Sequence, residues 1–108
     1  MFHPFPLPDL QARFSSAART QGLHPHTLAM IGEDPLEIWT RQAPLPDAPS
    51  IFLSAGIHGD EPCGPVALCQ LLEQLALPSS FHWALAPLLN PSGLRAYTRH
   101  NAQHIDLN

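Results

Sequence analysis

The sequence predicts an α/β fold, and three observations carry that expectation. A helical apolar period runs near the start, two extended runs flank a Gly-containing turn, and strand, helix and strand alternate over residues 51–89. The chain has 108 residues, enough for one small domain or part of a larger one, and no internal repeat or low-complexity tract interrupts it.

Phe2 to Pro8 alternates aromatic, aliphatic and proline residues, as expected of an extended arm packed on a surface. Asp9 then opens a helix to about Gln21, with Leu10, Phe14, Ala17 and Ala18 on one face and Gly22 placed to stop it. Leu23–Ile31 and Pro35–Arg41 read as strands of a hairpin around Gly32-Glu33-Asp34. Gln42 to Ser50 is a proline-broken connector. Ile51–Ala55 is an almost unbroken apolar run, the pattern of a strand covered on both faces.

From about Gly64 to Leu77 the period is helical, with Val66, Cys69, Leu72 and Ala76 in one stripe and Leu68 and Leu75 beside it. Pro78-Ser79-Ser80 ends it, and Phe81–Leu89 is a further apolar strand closing in the turn Asn90–Gly93. Strands separated by one helix are parallel and joined by a right-handed crossover. Their carboxyl ends share one sheet edge, so the turns 58–61 and 90–93 emerge side by side where open α/β sheets bind ligands.

Composition excludes several classes. Five Arg and no Lys against nine acids give a net charge of −4, without the basic footprint that phosphate recognition needs, so no nucleic-acid partner is expected. Thirteen prolines exclude a helical bundle. No apolar run approaches the ~18–20 residues of a membrane span, and Met1–Leu10 lacks a basic n-region and an apolar stretch. A soluble cytoplasmic protein without a membrane partner is therefore expected. Cys63 and Cys69 lie six apart, roughly 9 Å along a helix, too far for a disulfide. Both are read as free thiols, and Cys63 as a small buried residue in preference to a reactive thiol beside a metal.

The chemistry concentrates in the 58–61 turn. His58 and Glu61 are three apart with Gly59 between them, so an imidazole nitrogen and a carboxylate can converge on one zinc ion. Spacing alone is not specific: seven His and nine acids in 108 residues produce about 0.6 such pairs by chance. A second polar cluster, Thr98-Arg99-His100-Asn101, follows the neighbouring strand, and Asp106 and Asn108 close the chain.

Together these segments resemble the zinc carboxypeptidases. Ser54-Ala55-Gly56-Ile57-His58-Gly59-Asp60-Glu61-Pro62 is similar to their H-G-x-E metal motif, Asn90-Pro91-Ser92-Gly93 to their N-P-x-G turn, and Arg99-x-Asn101 with Asp106-Leu107-Asn108 to their R-x-N…D-L-N-R segment. The compact form most resembles bacterial murein-peptide amidases and shades into the succinylglutamate desuccinylase–aspartoacylase branch. The resemblance covers about residues 51–108; the first 50 carry no matching motif.

It implies a mixed, mainly parallel central sheet with helices on both faces. It also implies one zinc ion held by His58 and Glu61, with Asp106 taking the other ring N–H of His58. Arg99 would polarise the scissile carbonyl and hold the oxyanion, and Asn108, Arg99 and Asn101 would bind substrate. The implied reaction is attack of zinc-bound water on a peptide or amide bond next to a free carboxylate. The alternatives are deacylation of an N-acyl amino acid, or a non-catalytic fragment.

Two departures stand out: Ser92 replaces the commonest Asp, and His104 replaces a Gly that would tolerate positive φ. The family's next Arg, its third ligand (a His) and its general-base Glu have no counterpart within residue 108. The chain is therefore expected to be the truncated N-terminal half of a catalytic domain, inactive alone and open at an apolar sheet edge. His24 and His26 are read as surface or packing residues, His3 and His82 carry no pattern, and His100 and His104 lie near the proposed site.

Overall fold

The computed structural model describes residues 6–107. The elements are α1 (Leu7–Thr20), β1 (His24–Ile31), β2 (Asp34–Arg41), β3 (Ser50–Ser54), α2 (Cys63–Gln74), β4 (His82–Ala86) and α3 (Pro91–Ala96).

Helix α1 begins two residues before Asp9, because Pro8 sits in the first turn, where a missing N–H leaves no intrahelical bond unmade. Leu7 and Pro8 thus belong to the helix rather than to an extended arm, while residues 2–5 of that expected arm lie outside the described residues. Leu7, Leu10, Phe14 and Ala18 face inward, and Gly22 ends the helix at φ +79°. The hairpin forms as expected, pairing Ile31 with Asp34 around a two-residue loop in which Gly32 takes φ +63°.

The four strands lie in the order β1-β2-β4-β3. β2 runs antiparallel to β1 and to β4, and β3 and β4 are parallel, pairing Ile51 with Trp83 and Leu53 with Leu85. The sheet is mixed, with one parallel pairing of three among the described strands. Trp39, Leu85 and Leu53 are in register on one face, which packs with Trp83 against α1, α2 and Leu94 of α3 to form the core. Among the described residues helices cover this face only. The other face carries Thr40, Ala84 and Phe52, and among the described residues Phe52 is 59% exposed.

Helix α2 ends at Gln74, three residues before the expected stop, because a distant side chain terminates it. The Gln21 amide donates to the carbonyls of Leu72 (2.8 Å) and Leu75 (2.5 Å), and its oxygen accepts from the Leu77 N–H (2.9 Å). Leu75 and Ala76 therefore leave the stripe for solvent, while Leu77 turns inward. Sequence periodicity holds no trace of a cap 51 or more residues away. His82, without pattern in the sequence, clamps the proline-rich connector. Its Nδ1 accepts from the Ala43 N–H (2.8 Å), and its Nε2 lies 3.1 Å from the Pro46 carbonyl. No described helix is long and apolar enough to cross a membrane.

Candidate metal centre

The two sheet-edge turns do emerge side by side. The parallel ladder continues past the strands: Ala55 N–H donates to Ala86 O (2.9 Å), Leu89 N–H to Ala55 O (3.0 Å) and Asn90 N–H to Gly56 O (2.8 Å). Gly56 permits the exit at φ +78°, where a Cβ would press on Pro65, Pro87 and Leu88 at 3.3 Å. At Gly59 a Cβ would collide with the backbone of Gly93 and Thr98. The glycine in the turn is thus required by close backbone approach.

Asn90 fastens the two turns together. The sequence reading places it in a turn; the structure makes it the N-cap of α3, with Pro91 in the first helical turn. Its buried side chain accepts from the Gly93 N–H (3.0 Å) and donates to the carbonyl of Ile57 (3.2 Å), the residue before His58. Asn followed by Pro is a helix-start signal, so the capping half of this role was open to sequence reasoning. The bond to Ile57 was not, because nothing local in the sequence encodes it.

His58 and Glu61 face one another, with Nδ1 3.7 Å from Oε2. The other ring nitrogen, Nε2, lies 3.1 Å from Asp106 Oδ1, and the second Asp106 oxygen accepts from Arg99 Nε at 2.9 Å. One carboxylate therefore links His58 to Arg99; its contact with His58 is the one the resemblance implies, and its bond to Arg99 is an addition of the structure. The Arg99 guanidinium holds the Asp106 carboxyl below the usual carboxylate range, and His58 adds to that; Asp106 in turn raises Arg99, with smaller contributions from Asp60 and Glu61. Arg99 thus lies on the same side of the molecule as the 58–61 turn.

The donor set can be tested against zinc. Two ligand atoms at about 2.0–2.2 Å from one tetrahedral ion lie roughly 3.4 Å apart. The observed separation of 3.7 Å is within easy adjustment of that. A tautomer donating Nε2–H to Asp106 would leave the Nδ1 lone pair facing Glu61, as a metal ligand needs. Among the described residues no group of three or more His, Cys, Asp or Glu side chains could hold a metal; His58 and Glu61 are two donor side chains facing one another. They line a cavity of about 280 Å³ with Ser54, Ile57, Cys63 and Leu89.

The remaining predicted residues are placed as follows. Asn101 shapes its own loop, its oxygen accepting from the N–H groups of Gln103 (3.0 Å) and Ile105 (2.9 Å). Asn108 lies outside the described residues. Both cysteines are free as expected, but Cys63 is exposed at the first turn of α2, where it lines the cavity instead of filling the core; Cys69 is buried. His24 and His26 are exposed on β1, His26 within 2.8 Å of Thr40 Oγ1. His100 and His104 are exposed, and His3 lies outside the described residues. His104 adopts φ +62°, the conformation for which Gly is suited.

Residues 47–108 match the succinylglutamate desuccinylase/aspartoacylase catalytic domain. The chain belongs to that family. Among solved structures it is similar to a candidate metallopeptidase from Shewanella denitrificans OS217, with 27% identity and a TM-score of 0.87 over 94% of this chain and 39% of that one. A candidate metallopeptidase from Shewanella baltica OS155 gives 25% identity and a TM-score of 0.89 over 95% and 39%. A metallo-carboxypeptidase from Burkholderia cenocepacia shares the fold at 19% identity, with a TM-score of 0.82 over 99% of this chain and 33% of that one. The chain thus spans between a third and two fifths of the length of these structures. No curated protein matches the sequence. The family and the structures similar to this chain are hydrolases.

Proposed function

We propose that this chain contributes to a zinc-dependent hydrolase that cleaves a peptide or amide bond beside a free carboxylate, in the manner of a metallocarboxypeptidase or amidase. The observation that supports it is the unbroken series Glu61, His58, Asp106, Arg99, in which each side chain contacts the next. When bound, zinc supplies Lewis acidity that makes water a nucleophile near neutral pH. His58 Nδ1 and Glu61 hold it, and Asp106 fixes the ring. Arg99 uses only Nε on Asp106, and among the described residues its Nη groups take no partner, leaving them for the substrate carbonyl and the oxyanion that forms from it. Asn101 and Asn108 complete the substrate side in this reading.

Family membership favours a second reading, in which the same centre deacylates an N-acyl amino acid. A panel of free-carboxylate peptides and N-acyl amino acids separates the two readings by which class is turned over. In the whole protein, His58→Ala abolishes zinc binding and hydrolysis together. Arg99→Ala keeps zinc and lowers kcat by about 10²–10³-fold, the effect of removing one oxyanion donor. Wild-type zinc content in His58→Ala, measured by atomic emission, overturns the ligand assignment. A change confined to KM in Arg99→Ala moves that residue to ground-state binding.

A further inference from the structure

Arg99 carries the charge on which the proposed chemistry depends, and two attachments fix where that charge stands. The Asp106 carboxylate accepts from its Nε at 2.9 Å. The second attachment is in the backbone. Helix α3 ends at Tyr97, which takes φ +58°, and the chain then doubles back over α3 and the 58–61 turn. A Cβ on Gly59 would strike the Thr98 carbonyl, and a Cβ on Gly93 would strike that of His100, so residues 98–100 lie directly on both glycines.

Thr98 closes this loop. Its N–H donates to Gly93 O (2.8 Å), and its hydroxyl reaches across Arg99 to His100 O (3.0 Å). A carbonyl oxygen only accepts, so the hydroxyl is the donor of that bond. The branched side chain has few χ1 positions, and little freedom is lost in making it. Thr98 therefore touches Gly59, inside the His58–Glu61 turn, through its carbonyl, and it brackets Arg99 through its hydroxyl.

We propose that Thr98 is a positioning residue, whose hydroxyl bond sets where the Arg99 guanidinium stands relative to the His58–Glu61 turn. A donor meant for a developing oxyanion must be held within about 0.5 Å of its productive place, which needs a fixed backbone as well as a fixed side chain. The consequence for catalysis rests on Arg99 meeting the oxyanion; the placement of Arg99 does not.

Thr98→Val keeps the branched shape and removes the hydroxyl, whereas Thr98→Ser keeps the hydroxyl. In the metal-free chain, solvent exchange of the Arg99 Nε–H, followed by NMR, should quicken about fivefold in Thr98→Val, the order of one hydrogen bond's net worth. Thr98→Ala, which also lacks the hydroxyl, should behave alike, and Thr98→Ser should return to the parent rate. The Arg13 Nε–H, bonded to Glu73 at 3.1 Å, is the control and should not change. In the zinc-loaded whole protein, Thr98→Val should lower kcat about fivefold with KM and zinc content unchanged, and the loss should vanish in an Arg99→Ala background. An Arg99 Nε–H that exchanges at the parent rate in Thr98→Val and Thr98→Ala overturns the proposal. So does equal quickening at Arg13, Thr98→Ser behaving as Thr98→Val, or a loss of kcat that adds to that of Arg99→Ala. Parental kcat in Arg99→Ala refutes the catalytic reading of Arg99 alone, and the exchange rates then decide the role of Thr98.

Discussion

The α1–hairpin region and the loops that carry His58 and Asp106 are ordered by different forces. In the first, Leu7, Leu10, Phe14, Ala18 and Trp39 are almost fully buried, Phe14 meeting Trp39 edge-on with ring centroids 5.8 Å apart. In the second, residues 95–106 are largely exposed, and order comes from Asn90, Asn101 and Asp106 and from Gly59 lying against the Gly93 backbone. Burial is non-directional and accepts any side chain of suitable volume, whereas each of these hydrogen bonds needs one atom in one place. Likeness to solved structures runs through both regions, while the family match begins only at residue 47. The fold is held in common along most of the chain; the family match takes in the hydrogen-bonded loops together with β3, α2 and β4, and leaves out α1 and the hairpin.

Two substitutions should separate the regions, and the larger effect on stability belongs to the first. Phe14→Ala empties a buried aromatic site and is expected to lower unfolding free energy by about 3–5 kcal/mol in denaturant titrations. The zinc affinity of the molecules that stay folded should not change. Parallel loss of zinc affinity would show that the core and the loops cannot be uncoupled. Asn90→Ala removes an N-cap and strands the Ile57 carbonyl, a loss of about 2 kcal/mol. Because the freed carbonyl adjoins His58, zinc affinity should fall about tenfold or more, the range for partners that orient a ligand. Unchanged zinc affinity in Asn90→Ala would restrict that residue to capping α3.

Legibility in the sequence follows the same division. Apolar periodicity located α1, the hairpin and the parallel β3–β4 pair, because period is what burial writes into a chain. It misplaced the end of α2, where Gln21 terminates the helix from another element. Around the candidate site, the meeting of the two turns followed from parallel topology alone. The contact of Asp106 with His58 was implied by the family resemblance alone; the bond from Arg99 to the same carboxylate and the Asn90–Ile57 bond did not follow, since each depends on single atoms that only the folded loops bring together.

The acid side of that network supplies a finer test. Hydrogen bonding to Arg99 lowers the Asp106 carboxyl pKa in the folded protein. The stability it contributes is present above the unfolded-state pKa and is lost as pH falls through the depressed folded value. In chelator-treated protein, carboxyl-carbon NMR should therefore find Asp106 titrating below ordinary aspartates. In Arg99→Ala the titration should move upward. An unchanged titration would mean that Arg99 does not hold this carboxylate in solution.

The smallest expected effect concerns the loop that presents Asp106. His104 holds φ +62°, a conformation that disfavours a Cβ by about 1 kcal/mol, while its N–H donates to Asn101 O at 3.0 Å. Glycine relieves the clash but gives the unfolded chain more freedom, so His104→Gly should stabilise the loop by less than about 1 kcal/mol. The sensitive probe is the Ile105 N–H, bonded to Asn101 Oδ1 at 2.9 Å two residues before the chain's last described residue. Its hydrogen exchange should slow severalfold in His104→Gly and quicken in His104→Val, whose branched side chain tolerates positive φ least. Faster exchange in the glycine variant would assign the loop's order to the imidazole itself instead of to the Asn101 bonds.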